Sequence, residues 1–189
     1  MLSLLQPMEP PPDGAREISP DTLRRAQAGE AGALRAFVET YQDRVSRLVG
    51  RMLHARDPTM VQDICQECFL RALRALRRFD PAGPARLSTW LLTIATRLCL
   101  DHLRRDRPTG PIPEDAAVAP VAEDRVLAVH VEAALATLAP DLRATLVLRV
   151  VAQLSVAETA AVLGVDEGTV KSRLSRARAR LREALGGTT

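Results

Sequence analysis

The sequence predicts an all-α protein made of two small helical domains joined by a Pro-rich flexible linker, and three observations carry that expectation. Aromatic residues are only 3% of the 189-residue chain, while Ala, Leu and Arg dominate it, a balance that favours helix over sheet. Apolar residues recur at helical steps of three and four. Proline and glycine gather in two stretches, one N-terminal and one central, which divide the chain. Hydrophobic residues make up 47%, enough for each domain to bury a core.

Residues 1–18 read as a flexible arm, because Pro7, Pro10, Pro11 and Pro12 lack the donor N–H that a helix needs. The first domain is expected over 19–106. Ser19-Pro20-Asp21 opens a short helix, and Gly29 and Gly32 interrupt before a helix from about Ala33 to Leu53, with Phe37, Tyr41, Val45, Leu48 and Met52 on its apolar side. Asp57-Pro58 starts the next, in which Val61, Ile64, Cys65, Cys68, Phe69, Ala72 and Leu76 repeat at i, i+3, i+4 and i+7. Phe79-Asp80-Pro81 stops it, since a residue before proline is pushed out of the helical region. Ser88 is the expected N-cap of a helix from Thr89 to about Arg105. One face of that helix carries Leu91, Ile94, Ala95, Leu98 and His102, and the other Trp90, Thr93, Arg97, Asp101 and Arg104.

Pro108, Gly110, Pro111, Pro113 and Pro120 mark 107–123 as the linker. The second domain is expected over 124–186, with helices at about Asp124 to Leu138, Pro140 to Val151 and from Ser155. Ser155 and Glu158 have the spacing of a capping box, which satisfies orphaned N–H groups of a first turn. Leu163-Gly164-Val165 then turns the chain, and Asp166 caps a last helix to about Leu185 with Val170, Leu174, Ala177 and Leu181 facing inward. Two short helices about a glycine turn form a helix-turn-helix. The outward face of its second helix, with Thr169, Lys171, Ser172, Arg173, Ser175 and Arg176, suits phosphates and major-groove base edges.

Charge distribution agrees. The net charge is only +3, but Lys171 to Arg182 holds basic side chains and no acid, whereas Thr109 to Asp124 holds acids and no base. Three cysteines, an odd number, and the lack of a signal-like or membrane-spanning apolar run point to reduced thiols in the cytoplasm. Cys65-x2-Cys68 and Cys99-x2-His102 have zinc-like spacing, yet Cys65 and Cys68 fall on an apolar stripe, where free cysteine acts as a small hydrophobe. No metal and no cofactor is expected, with zinc or redox sensing as the alternative. No Gly-rich phosphate loop or paired nucleophile and base is present, so an enzyme is not expected.

At Asp63-Ile-Cys-Gln-Glu-Cys-Phe-Leu70, Leu87-Ser-Thr-Trp-Leu-Leu-Thr-Ile-Ala95, Leu103-Arg-Arg105 and Gly168-Thr-Val-Lys-Ser-Arg-Leu-Ser-Arg-Ala177, the chain resembles bacterial RNA polymerase sigma factors of the extracytoplasmic-function (ECF) type, in the sigma-70 family. The resemblance implies a sigma-2-like domain and a sigma-4-like helix-turn-helix domain, and a non-enzymatic factor that directs promoter-specific initiation. Its implied partners are core RNA polymerase, through the β′ coiled coil and the β flap, promoter DNA and an anti-sigma factor, with no membrane insertion.

By the same resemblance Gln62, Asp63, Gln66, Glu67 and the outward Leu70 would dock on the coiled coil. The loop Arg78 to Leu87, with Arg78, Trp90, Thr93, Arg97, Arg104 and Arg105, would engage the minus-10 element and melted strand, where bases need stacking partners and the backbone needs cations. Thr169 to Arg176 would read the minus-35 element. Trp90 fits either a stacking role or a partly buried core position. The chain departs from the family at Ile94-Ala-Thr-Arg97, where members often read Ile-Ala-Arg-Asn, so that asparagine's base contact does not transfer. A regulator that binds DNA without polymerase is the competing reading of the helix-turn-helix alone.

Overall fold

A computed structural model describes residues 17–53, 58–105 and 133–186. The expected linker, nearly all of the arm and most of the helix expected from Asp124 lie outside the described residues. Within them every regular element is helical. Ser19 Oγ accepts the Thr22 N–H at 3.1 Å and Pro20 occupies the first turn, which starts α1 (Pro20–Gln27). Gly29 then takes a φ of +87°, a conformation that suits a residue without a Cβ, and α2 (Ala31–Leu53) follows. Phe37, Tyr41, Val45, Leu48 and Met52 line its buried stripe as the periodicity requires.

Helix α3 (Pro58–Ala75) tightens into a 3-10 turn at Leu76–Arg78 before Phe79 becomes extended. The Gln27 side-chain amide donates to Leu76 O at 3.0 Å, which also accepts the Phe79 N–H, and to Phe79 O at 2.8 Å, so α1 ties down the end of this segment. Asp80 organises the loop that follows: its Oδ1 accepts the Ala82 N–H at 2.9 Å.

Helix α4 (Leu87–Arg105) starts earlier than its sequence suggests. Ser88 is not its cap. It lies inside the first turn and is only 2% exposed, and the helix ladder already begins at Arg86 O, which accepts the Trp90 N–H at 2.9 Å. The reason is tertiary: Leu87, Ser88 and Thr89 are buried together, and their packing overrides the local preference of serine for a cap. Burial also extends beyond the single face expected, for Leu92, Thr96 and Cys99 are enclosed along with Leu91, Ala95 and Leu98.

In the second half, residues 133–136 are helical and are followed by α5 (Pro140–Val150), α6 (Val156–Leu163) and α7 (Glu167–Gly186). Residues 143–148 of α5 are all buried, which marks a helix enclosed on every side. It feeds two hydrophobic clusters. Ala144, Val147 and Leu148 join the core built on Phe37, Leu48 and Leu91. Leu146 joins a second core formed by Leu135, Ala160, Val170, Leu174, Ala177 and Leu181.

Arg143 ties these parts together and was not singled out in the sequence. Although only 5% exposed, it has no acidic partner in the bonds it makes. Its Nε donates to Leu135 O at 2.9 Å, Nη2 to Ala136 O at 3.1 Å and Leu138 O at 2.9 Å, and Nη1 to Met52 O at 3.0 Å. Burial pushes its pKa down to about 10, still far above neutrality, so the guanidinium stays charged and is solvated by carbonyl dipoles. A cue was present: Arg143 stands four residues before Val147, on a buried phase of α5.

Candidate nucleic-acid interface

The turn between α6 and α7 is set by residues within a few positions of one another. Ser155 Oγ accepts the Glu158 N–H at 3.1 Å, and Glu158 Oε2 accepts the Ser155 N–H at 2.8 Å, which completes the capping box. At the far end Gly164 adopts φ +67° and ψ 38°, and its N–H donates to Ala160 O. A Cβ on Gly164 would meet nothing within 4 Å, so the left-handed backbone, rather than crowding, makes glycine suitable there. The Val165 N–H also donates to Ala160 O, at 3.1 Å. Val170, Leu174, Ala177 and Leu181 then bury the inner side of α7.

Asp166 caps α7. Its Oδ1 accepts the Thr169 N–H at 2.7 Å and its Oδ2 the Thr169 hydroxyl at 2.8 Å. These bonds hold the Asp166 carboxyl below its usual range. Thr169 is thereby half-buried and its hydroxyl proton is committed to the cap. Lys171, Ser172, Ser175 and Arg176 are exposed on the same helix. The Ser172 hydroxyl donates back to Thr169 O at 3.0 Å, and Lys171 Nζ lies 4.0 Å from Glu167. Arg173 differs: its side chain is 19% exposed and turns back onto α5, where Nη2 donates to Asp141 Oδ2 at 2.9 Å.

A second group surrounds the start of α4. Trp90 is half-buried and its ring centroid lies 5.2 Å from that of Phe79, tilted by 49°. Trp90 therefore belongs to an aromatic pair at the edge of the core. The sequence reading missed Phe79 as its partner; an aromatic immediately before Asp80-Pro81 was the available signal. The Thr93 hydroxyl donates to Thr89 O at 2.8 Å. Arg78, Arg97 and Arg105 are exposed, and Arg104 lies 3.6 Å from Asp101.

The third group is on α3. Gln62, Asp63 and Gln66 are exposed, Leu70 is an apolar side chain with 48% exposure, and Glu67 Oε1 accepts from Arg71 Nε at 2.6 Å. Leu70 stands at the rim of a groove of about 470 Å³ between α2 and α3, lined also by Val38, Ser46, Cys65 and Phe69. The thiols take core positions: Cys68 and Cys99 are buried and Cys65 is half-buried. Among the described residues no three His, Cys, Asp or Glu side chains converge as metal ligands. None of the described helices is long and apolar enough to cross a membrane.

This arrangement of helices has known counterparts. The family description Sigma-70 region 2 matches residues 37–109, and Sigma-70, region 4 matches residues 129–181. The ECF RNA polymerase sigma factor SigM of Mycobacterium tuberculosis is 39% identical over 178 residues, which cover 92% of this chain and 88% of that protein. The chain belongs to the ECF sigma factors of the sigma-70 family. The ECF sigma factor SigC of M. tuberculosis is 38% identical over 163 residues, covering 81% of this chain and 83% of that protein. Among solved structures, that of the sigma factor CnrH in complex with the cytosolic domain of CnrY superposes with a TM-score of 0.68, at 26% identity, over 89% of this chain and 97% of that one. ECF sigma factors are DNA-binding factors for promoter-specific transcription initiation rather than enzymes, and this chain takes that role with its family.

Proposed function

We propose that this sigma factor works through two units, residues 19–106 and 124–186, and that the exposed side of α7 reads the minus-35 element as duplex. The observation that carries the reading is the helix-turn-helix itself. A capping box, a left-handed Gly164 and the Asp166 cap fix a helix whose solvent side offers Lys171, Ser172, Ser175 and Arg176. Such a helix fits the major groove, where arginine pairs with guanine and hydroxyls accept several partners. Thr169 and Arg173 contribute from its edge, the first through the cap and the second once released from Asp141.

The loop Arg78 to Leu87 and helix α4 engage the minus-10 element and hold the melted strand, with Arg78, Arg97, Arg104 and Arg105 on phosphates and the Phe79–Trp90 pair as an aromatic platform. Thr93 lies on the same face. The α3 surface of Gln62, Asp63, Gln66, Glu67 and Leu70 docks on the β′ coiled coil of core polymerase, because an exposed leucine ringed by polar groups supplies an anchor and a rim. The sigma-4-like unit meets the β flap. An anti-sigma factor is a partner by analogy with CnrH, which was solved with the cytosolic domain of CnrY. The factor works in the cytoplasm, where the polymerase is, and needs no nucleotide hydrolysis.

Reconstitution tests this. Core polymerase with the full chain is expected to start transcription at a cognate promoter, and Arg176→Ala is expected to weaken duplex minus-35 binding by the ~1–3 kcal/mol of a lost bidentate base contact. No promoter-specific start, with duplex binding intact, would reassign the chain to regulators that act without polymerase.

A further inference from the structure

The loop between the 3-10 turn and α4 is poor in hydrogen-bonding side chains. Residues 80–85 read Asp-Pro-Ala-Gly-Pro-Ala, so Asp80 supplies its only polar side chain. The backbone is short of free donors as well. Pro81 and Pro84 have no N–H, the Gly83 N–H donates to Asp80 O at 3.1 Å, and the Ala82 N–H donates to Asp80 Oδ1 at 2.9 Å. Asp80, Pro81 and Gly83 hold the first, second and fourth places of a β-turn, where each is favoured, so the loop is shaped before any strand arrives. What it offers a partner is chiefly acceptors: the carbonyls of the exposed residues Pro81, Ala82 and Pro84, and Asp80 Oδ2.

The turn alone does not call for a carboxylate. Asn and Ser also suit the first place of such a turn, and neither sets a negative charge against a nucleic acid. Asp80 is exposed and makes no ion pair among the described residues, although the exposed Arg78 and Arg86 flank the loop. A phosphate repels such a group, but the amino group of a base finds an acceptor in it, as cytosine N4 does in Asp or Glu. We propose, on the reading of Arg78 to Leu87 as a minus-10 contact, that Asp80 is the base-reading residue of this loop. At one position of the melted minus-10 strand it selects a base with an exocyclic amine, which adenine, cytosine and guanine carry, over thymine.

The two oxygens divide the work. Oδ1 is committed to the Ala82 N–H, which fixes the carboxylate on the turn and leaves Oδ2 for the base. Arg78 and Arg86 hold phosphates on either side. An amine donates to Oδ2 and to a neighbouring carbonyl of the loop, whereas thymine sets its O4 against the carboxylate, two acceptors with no proton between them. Because the loop is already ordered, little of the binding free energy goes into shaping it.

The test lets core polymerase with the full chain select from duplexes randomised over both promoter elements, and repeats the selection with Asp80→Asn and Asp80→Ala. Sequences retained by the unmodified chain should disfavour thymine ~10-fold at one minus-10 position. Asp80→Asn keeps an oxygen for the Ala82 N–H and turns its amino group outward. At that position alone the preference should invert toward thymine, with the minus-35 preference and the helix content by circular dichroism unchanged. Asp80→Ala should lose the preference without inverting it. A forked template then carries 5-methylcytosine or thymine at the chosen position, two bases of the same outline. The unmodified chain should bind the amine ~10-fold more tightly, and Asp80→Asn should not. A preference that persists in Asp80→Asn would overturn base reading by Asp80. So would one that fades evenly over the whole minus-10 element in both variants, which would leave Asp80 a turn residue only. If the unmodified chain selects no minus-10 sequence at all, the reading of the loop as a minus-10 contact falls, and base reading with it.

Discussion

The Arg173 guanidinium lies 2.9 Å from the Asp141 carboxylate, which ties a cation of α7 to the first turn of α5. Lys171 and Arg176 are exposed by comparison, so a phosphate that recruits Arg173 must compete with Asp141. In Asp141→Asn that competition loses its charge. Duplex binding should then tighten, and its dependence on salt should steepen by ~0.9 in the logarithmic slope, the value for one more neutralised phosphate. Anisotropy titrations at four salt concentrations measure it. An unchanged slope would show that Arg173 stays on α5 when DNA binds.

Leu70 should matter for polymerase and little for folding. Its side chain is exposed at the rim of the α2–α3 groove, so Leu70→Ala should shift stability by less than ~0.5 kcal/mol. Core-polymerase affinity should fall ~10-fold or more, as for an interface anchor. Thermal melting and a pull-down titration with core enzyme separate the two effects, and full affinity in the variant would remove Leu70 from the interface.

Acid should loosen the helix-turn-helix through its caps. The backbone N–H of Ser155 holds the Glu158 carboxyl below its ordinary value of 4.5, and the Thr169 hydroxyl holds Asp166 below 3.8. A carboxyl whose folded pKa is lowered adds stability that is fully present above its ordinary value and is lost as pH falls through the folded one. The melting temperature should therefore be level above about pH 5 and fall below about pH 4. Glu158→Gln with Asp166→Asn keeps the acceptors but removes the charges, and should flatten that fall. A variant with the wild-type acid profile would place the sensitive groups elsewhere.

The thiols should resist modification in the folded chain. Burial pushes the Cys68 thiol up to about 12 and raises that of Cys99 as well; both are enclosed in the core. Little thiolate forms there at pH 8, and the thiolate is the reactive species. A disulfide reagent should label at most one site, Cys65, before denaturant is added, and three afterwards. Rapid native labelling of Cys99 would reopen the redox reading.

The helix-turn-helix was legible because each of its determinants is local. Ser155 meets Glu158 three residues on, Gly164 bonds back to Ala160, and Asp166 caps Thr169, so spacing along the chain and distance in space agree. Legibility failed where distant segments decide. Ser88 has a capping side chain, yet packing of Leu87 to Thr89 starts α4 earlier. Arg143 answers to Met52, ninety-one positions away, and no local pattern announces four carbonyls converging on one guanidinium. Arg173 has the helical phase of a surface cation, but its length lets it reach Asp141, which lies in a different helix. Trp90 was open to two readings because its partner, Phe79, sits across a loop.

Gln27 holds Leu76 O and Phe79 O with one side-chain amide, and Phe79 in turn carries Trp90. A residue near the outer end of α1 thus acts as a tuning screw for the aromatic platform some fifty positions later. A change at position 27 would remove two bonds that hold the backbone of Leu76 and Phe79. Under the proposed stacking role of the Phe79–Trp90 pair, two descendants of this sequence that differ at position 27 are expected to differ in the bases they prefer.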